Sequence, residues 1–212
     1  MKKYLFPTLL IAAVVTFFAA CEETTEVDEY ANWQPRNEAY IDSLKALTGN
    51  TYVSSVEQVE AIPVGKLFAI PNPYVGTTNH NYYVYCKKIS PDNPDGVRPY
   101  YTSAVSTYYY GTLINGNRFD GNFSGYGATD RGTLDANDAN KAPTPYDTPS
   151  SFGVNTLLSG VSGWTAVLQY MRKGERWILY IPWQCAYGSA GKDDIRGYST
   201  LVFDLKLDDV AL

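Results

Sequence analysis

The one histidine of the chain, His80, stands in a turn-like Thr77-Thr78-Asn79-His80-Asn81 run. A serine or cysteine hydrolase needs a histidine held beside its nucleophile by a third group, so a solitary one in a polar connector reads as a surface residue. The three cysteines, Cys21, Cys86 and Cys185, have neither the spacing nor the histidine partners of a zinc site. The glycines make neither a phosphate-binding loop nor a dinucleotide fingerprint. Asp130, Asp135, Asn137, Asp138 and Asn140 invite a calcium reading. The calcium loop requires a glycine at its sixth place and a distal glutamate, and neither falls into register, so a solvated loop is expected. No metal and no cofactor is therefore expected. The formal net charge of −5 argues against nucleic acid or an anionic lipid surface as partner.

The stretch from Val161 to Leu207 organises the rest. Trp164, Val167, Leu168 and Met171 recur at the spacing of one helical face, with Gly163 before and Gly174 after as start and stop. Arg176 to Ile181 reads as a strand. Thr200 to Leu207 alternates, with Leu201, Phe203, Leu205 and Leu207 on one side and Val202, Asp204 and Lys206 on the other. A helix of about two turns is unstable alone in water, so it must lie on the apolar face of a sheet, with Trp164 where it enters.

The ordered residues Val161-Ser162-Gly163-Trp164, Ile181-Pro182, Ala186-Tyr187-Gly188 and Thr200-Leu201-Val202-Phe203-Asp204 resemble the C-terminal half of the FKBP-type peptidyl-prolyl cis-trans isomerases. Tyr109, Gly111, Leu113, Phe119 and Asp120 fall on further positions of that pattern, so the resemblance runs from about Tyr82 to Leu207. It implies an α+β fold in which a curved antiparallel sheet wraps one short helix. It also implies a pocket in which Trp164 is the floor under a proline ring and Tyr109, Phe119 and Phe203 are walls, with Phe152 and Ile195 contributing. Val161 would offer its backbone N–H to a substrate carbonyl, the Tyr187 hydroxyl would be a second donor, and Asp120 would polarise the site. Such a reaction breaks no covalent bond and needs none of the groups that the sequence lacks. The implied function is rotation of X-Pro bonds in cell-envelope proteins. A non-catalytic peptide-binding or chaperone module, and a structural surface lipoprotein, are the alternatives.

Several positions depart from the family. Gly160 replaces a usual valine, Ser150 or Ser151 a usual aromatic, and Trp183 the second proline after Ile181. The Lys192–Tyr198 flap is short and lacks prolines. Arg131 is the candidate for the basic residue that pairs with the pocket aspartate.

The remaining chain frames this domain. Residues 1–20 resemble a bacterial lipoprotein signal: Lys2 and Lys3, an apolar run, then Ala19-Ala20 before Cys21. Cys21 would carry the lipid, anchoring a monomer to the outer membrane on its periplasmic or surface face. Residues 21–31 read as an acidic tether of the kind found in some Bacteroidetes surface lipoproteins. In residues 32–80, a helix from Asn32 to Thr48 carries a stripe of Tyr40, Ile41, Leu44 and Leu47 and ends at Gly49. A poorly regular connector follows it, with β-type fragments at Thr51–Val53 and Lys66–Ile70 broken by Pro63, Pro71 and Pro73, and room for an edge strand. Residues 81–212 form the isomerase domain. In it Asn81–Ile89 and Tyr100–Ile114 are strands, and Asn115-Gly116 reads as a type I′ hairpin turn. Residues 121–150 are a polar loop insertion. Cys86 and Cys185 are read either as a disulfide or as buried thiols.

Overall fold

Strand β9 (Leu201–Ala211) is the spine of the sheet, paired along one edge with β6 (Arg176–Ile181) and along the other with β3 (Ala104–Thr112). The computed structural model describes residues 28–77 and 80–212. The expected signal segment, Cys21 and the start of the tether lie outside them, as do Thr78, Asn79 and the side chain of His80. Beyond β6 come β2 (His80–Lys88) and then β1 (Leu67–Thr77). β3 carries both β4 (Arg118–Gly121) and β5 (Ser150–Gly153) on its outer edge. The result is a seven-stranded sheet in the order β1-β2-β6-β9-β3-β4, with β5 also on β3. All its named strand pairs are antiparallel. Asn32–Leu212 form one contact unit.

The inner face is built from Phe68, Ile70, Val84, Cys86, Trp177, Leu179, Ile181, Leu201, Phe203 and Leu205, all buried. Helix α3 (Ser162–Leu168) lies on it, and all seven of its residues are buried. The helix ends at Leu168, so Met171, though fully buried, lies beyond it. Gly163 belongs inside the first turn, where it does not mark a start. A Cβ there would stand 2.6 Å from Ile181 Cγ2, so the glycine lets helix and β6 approach. Gly174 has φ 92 and donates its N–H to Leu207 O, turning the chain into β6.

The outer face is covered too, which alternation along β9 did not announce. Helix α1 (Trp33–Thr48) ends on Gly49 in the left-handed region, as expected. It packs Leu44 against Ala69 and Tyr85, and Tyr40 against Tyr180. Leu47, expected in the stripe, is 74% exposed; Trp33, Asn37 and Thr48 are buried in its stead. The insertion covers the other half of this face. Tyr126 and Ala128 pack with Ile178 and Val202, flanked by Leu134 and Ala136. Buried on both sides, β6 reads Arg-Trp-Ile-Leu-Tyr-Ile without alternation.

Two further expectations are corrected. The connector over residues 49–79 contains an unexpected helix α2 (Val56–Glu60), with a Ser55–Gln58 capping box, and its β-type fragment at Lys66–Ile70 extends into the eleven-residue edge strand β1. Pro71 and Pro73 are tolerated because β1 is an edge strand, bulged between Asn72 and Gly76. The hairpin after β3 is not of type I′. Gly116 N–H donates to Leu113 O, Leu113 N–H donates to Asn117 O, and positive φ is found at Gly116 but not at Asn115. That is a type I turn closed by a glycine bulge.

Candidate active site

The concave side of β3 and β9 carries Tyr109 and Phe203, and α3 brings Trp164 between them. The Trp164 ring centroid lies 5.0 Å from Phe203, 5.4 Å from Tyr109 and 5.6 Å from Phe152, each edge-on. Phe119 stands edge-on to Phe203 at 5.4 Å. Such edge-to-face packing fixes ring positions beyond what area burial does. The indole is the base of the cluster at 3% exposure, while Tyr109, Phe119 and Phe152 are half-buried around it. Gly111 makes the crowding possible: a Cβ there would meet Phe119 Cζ at 2.7 Å and Phe203 Cε1 at 2.9 Å.

One polar pair sits on this apolar wall. The Tyr109 hydroxyl donates to Asp120 Oδ2 at 3.1 Å, and Gly121 N–H donates to Asp120 Oδ1 at 2.7 Å. Burial, then the neighbouring Asp120 charge, pushes the Tyr109 phenol up to about 12, so it remains a donor at neutral pH. Asp120 itself is exposed. The desolvation cost of an unpaired carboxylate in an apolar site therefore does not arise. The suggested partner Arg131 is not near it; its charge acts on Tyr40, Lys87 and Tyr180 at the outer face. Arg118, two residues earlier on β4, instead donates to backbone carbonyls of Asp120 and Gly121.

Val161 precedes α3. Its carbonyl accepts from Trp164 N–H at 3.0 Å, and no acceptor among the described residues takes its own N–H. Asn72 of β1 steadies this end of the helix, donating to Ser162 Oγ at 3.0 Å, and Ser162 Oγ donates to Cys185 O. Sequence reading missed Asn72, having placed it in an irregular connector.

Tyr187 lies in the loop between β6 and β9, with the Lys192 ammonium 5.3 Å from its ring centroid. Its Cε1 is 3.6 Å from where a Cβ on Gly160 would be. The missing valine therefore leaves open space beside Tyr187. Ile195 is on the small hairpin of β7 (Gly191–Lys192) and β8 (Ile195–Arg196). There it lines, with Trp33 and Tyr198, a cleft of about 500 Å³. Trp183 stacks edge-on against Tyr198 at 5.0 Å.

The insertion leaves β4 and returns as β5 along the same edge of β3. Asn122 spans the gap, accepting from Tyr109 N–H and donating to Thr107 O and Ser150 Oγ. The rest of the loop turns to the outer face, away from the rings. Cys86 and Cys185 are free and buried, and burial pushes both thiols up, Cys185 to about 12. Neither is a reactive thiolate. No group of three or more metal-ligating side chains occurs among the described residues.

The sequence pattern of the FKBP-type peptidyl-prolyl cis-trans isomerases matches residues 96–208. The chain is 32% identical over 109 residues to the FKBP-type peptidyl-prolyl cis-trans isomerase FkpA of Buchnera aphidicola subsp. Baizongia pistaciae, covering 51% of this chain and 34% of the relative. It is 35% identical over 115 residues to FkpA of Escherichia coli K12, covering 54% and 34%. The chain thus spans about a third of the length of these relatives. A solved peptidyl-prolyl cis-trans isomerase from Pseudomonas syringae pv. tomato aligns with TM-score 0.47 and 24% identity, over 83% of this chain and 96% of that one. Because the sequence match takes in β3, α3, β6 and β9 together, just over half of the chain, this protein belongs to the FKBP-type peptidyl-prolyl cis-trans isomerase family.

Proposed function

We propose that this protein catalyses cis–trans rotation of X-Pro bonds, with the proline seated on Trp164. Rotation is opposed by loss of amide resonance, a barrier of about 18–20 kcal/mol, which makes the free process take tens of seconds or longer. The twisted amide has a less polar carbonyl than the planar one. A water-poor wall of Tyr109, Phe119, Phe152 and Phe203 favours the twisted form over solvent. Val161 N–H and the Tyr187 hydroxyl orient the substrate backbone. Asp120, held by Tyr109 and Gly121 N–H, places a fixed negative charge at the rim.

The observation that carries this reading is the ring cluster around Trp164 with the Tyr109–Asp120 hydrogen bond on its edge. The test is a proline-tetrapeptide isomerisation assay. Asp120→Leu is expected to lower kcat/KM about tenfold, near 1.4 kcal/mol. Tyr187→Phe should cost about two- to tenfold, the worth of one hydrogen bond. Turnover at the uncatalysed rate, with peptide affinity retained, would instead establish a binding module. The clients are proposed to be envelope polypeptides and Cys21 the lipid site, on the strength of the N-terminal sequence. Metabolic labelling with a fatty acid, lost in Cys21→Ser, tests the anchor. Among the described residues no helix is long and apolar enough to cross a membrane.

A further inference from the structure

We infer that helix α1, which lies outside the family-matched residues 96–208, is a positioning element for the active-site rim, acting through Trp33 and Asn37. The inference rests on the isomerase reading above. The loop that carries Tyr187 and Ile195 leaves β6 at Pro182 and returns to the sheet at Ser199-Thr200. Its return is held from outside the loop. Trp33 Nε1 donates to Ser199 Oγ at 2.9 Å, and Thr200 N–H donates to Asn37 Oδ1 at 2.7 Å. Asn37 Nδ2 donates to Trp33 O at 2.8 Å, tying the two helix residues together. Asn37 and Thr200 are 0% exposed and Ser199 3%, so these bonds are shielded from water. A broken one would leave a buried group without a partner.

The loop needs such a hold. Tyr198, directly before Ser199, adopts φ 63, and Asp193 φ 49. For an aromatic side chain the left-handed region is strained and persists only where neighbours over-determine it. Within the loop, Tyr198 N–H donates to Gly188 O, Gly188 N–H donates to Trp183 O, and Ser199 Oγ donates to Arg196 O. The strained corner is therefore linked by one hydrogen bond to Gly188, the residue that follows Tyr187, and Gly188 is in turn tied to Trp183. At its other end α1 is fixed to the sheet by Leu44 on Ala69 and Tyr85 and by Tyr40 on Tyr180. It thus serves as a rigid reference from which the rim is set. Positive φ at Tyr198 and the buried α1 bonds are independent observations with the same consequence.

The test uses the full chain and three readouts: amide hydrogen exchange, steady-state kinetics on a proline tetrapeptide, and thermal midpoint. In Trp33→Phe and in Asn37→Ala, amides of residues 186–198 should exchange about tenfold faster, while those of β3 and β9 are unchanged. KM should rise about threefold or more with kcat within about twofold, the signature of a less populated competent state. Ser199→Thr, which keeps the hydroxyl, should behave closer to wild type than Ser199→Ala. The double variant Trp33→Phe/Ser199→Ala should be no worse than Ser199→Ala alone. Unchanged loop exchange in both helix variants overturns the inference. Accelerated exchange with unchanged KM overturns the positioning role. A wild-type protein without turnover, whose loop exchange still responds to both helix variants, overturns the isomerase reading and leaves α1 as the support of the loop.

Discussion

Tyr109 joins the apolar wall to the charged rim, and its titration gives a direct check on the geometry. Its folded-state value is raised from 10.0 to about 12, chiefly by burial and then by Asp120. The stability contributed by the protonated phenol is therefore fully present below pH 10 and is lost as pH rises through about 12. Ultraviolet titration of wild type against Tyr109→Phe should show one tyrosinate step near 12 missing from the variant; a missing step near 10 would place the phenol in solvent. Gly163 offers a packing test. Ile181 is β-branched and stiff, and its Cγ2 would meet a new Cβ at 2.6 Å. Gly163→Ala should lose about 1–2 kcal/mol net of its better helix propensity, read from the urea midpoint. An unchanged or higher midpoint would show that α3 has room to shift.

At the scale of elements, the insertion is a structural cover. Arg176 and Asp204 form a two-pronged ion pair, at 2.8 and 2.6 Å, and are 2% and 0% exposed. Burial pushes the Asp204 carboxyl up, against the Arg176 guanidinium that draws it down. Tyr126 N–H completes the carboxylate's partners, and Ala136 O and Lys141 O accept from Arg176. The pair thus fastens the insertion to the sheet. Arg176→Met should cost about 3–5 kcal/mol, because it strands a buried carboxylate, whereas Arg176→Met with Asp204→Leu should cost far less. Equal losses in urea denaturation would mean that the pair is solvated. The loop spends Tyr126, Ala128, Leu134 and Ala136 on its own sheet.

For the whole molecule, residues 32–95, which precede the family-matched segment, belong to the same contact unit, and β1 and β2 to the same sheet. β1 supplies Phe68, edge-on to Trp177 at 5.5 Å, and Asn72, bonded to Ser162 at the start of α3. A fragment of residues 81–212 should therefore be unfolded or aggregated, with poor amide dispersion, while 32–212 should fold. A well-dispersed, active 81–212 fragment would show that β1 and α1 are dispensable.

The order of aromatic and glycine motifs from Tyr109 to Phe203 was legible in the sequence, because the family pattern fixes both residue type and spacing. So was α1, from its apolar recurrence and its glycine stop. What only the tertiary structure decided concerns the second face of the sheet. Prolines 71 and 73 concealed only the length of β1: the Lys66–Ile70 fragment read as β-type, but local preference cannot say that a strand runs on through prolines at an edge where a missing N–H costs little. Arg131 was a plausible partner for Asp120 by position in the chain, yet the insertion carries it to the opposite face. Trp33 and Asn37 gave no local signal of their role, because they act through residues more than a hundred positions away. Side-chain pattern determines which residues leave water; long-range packing determines what they meet there.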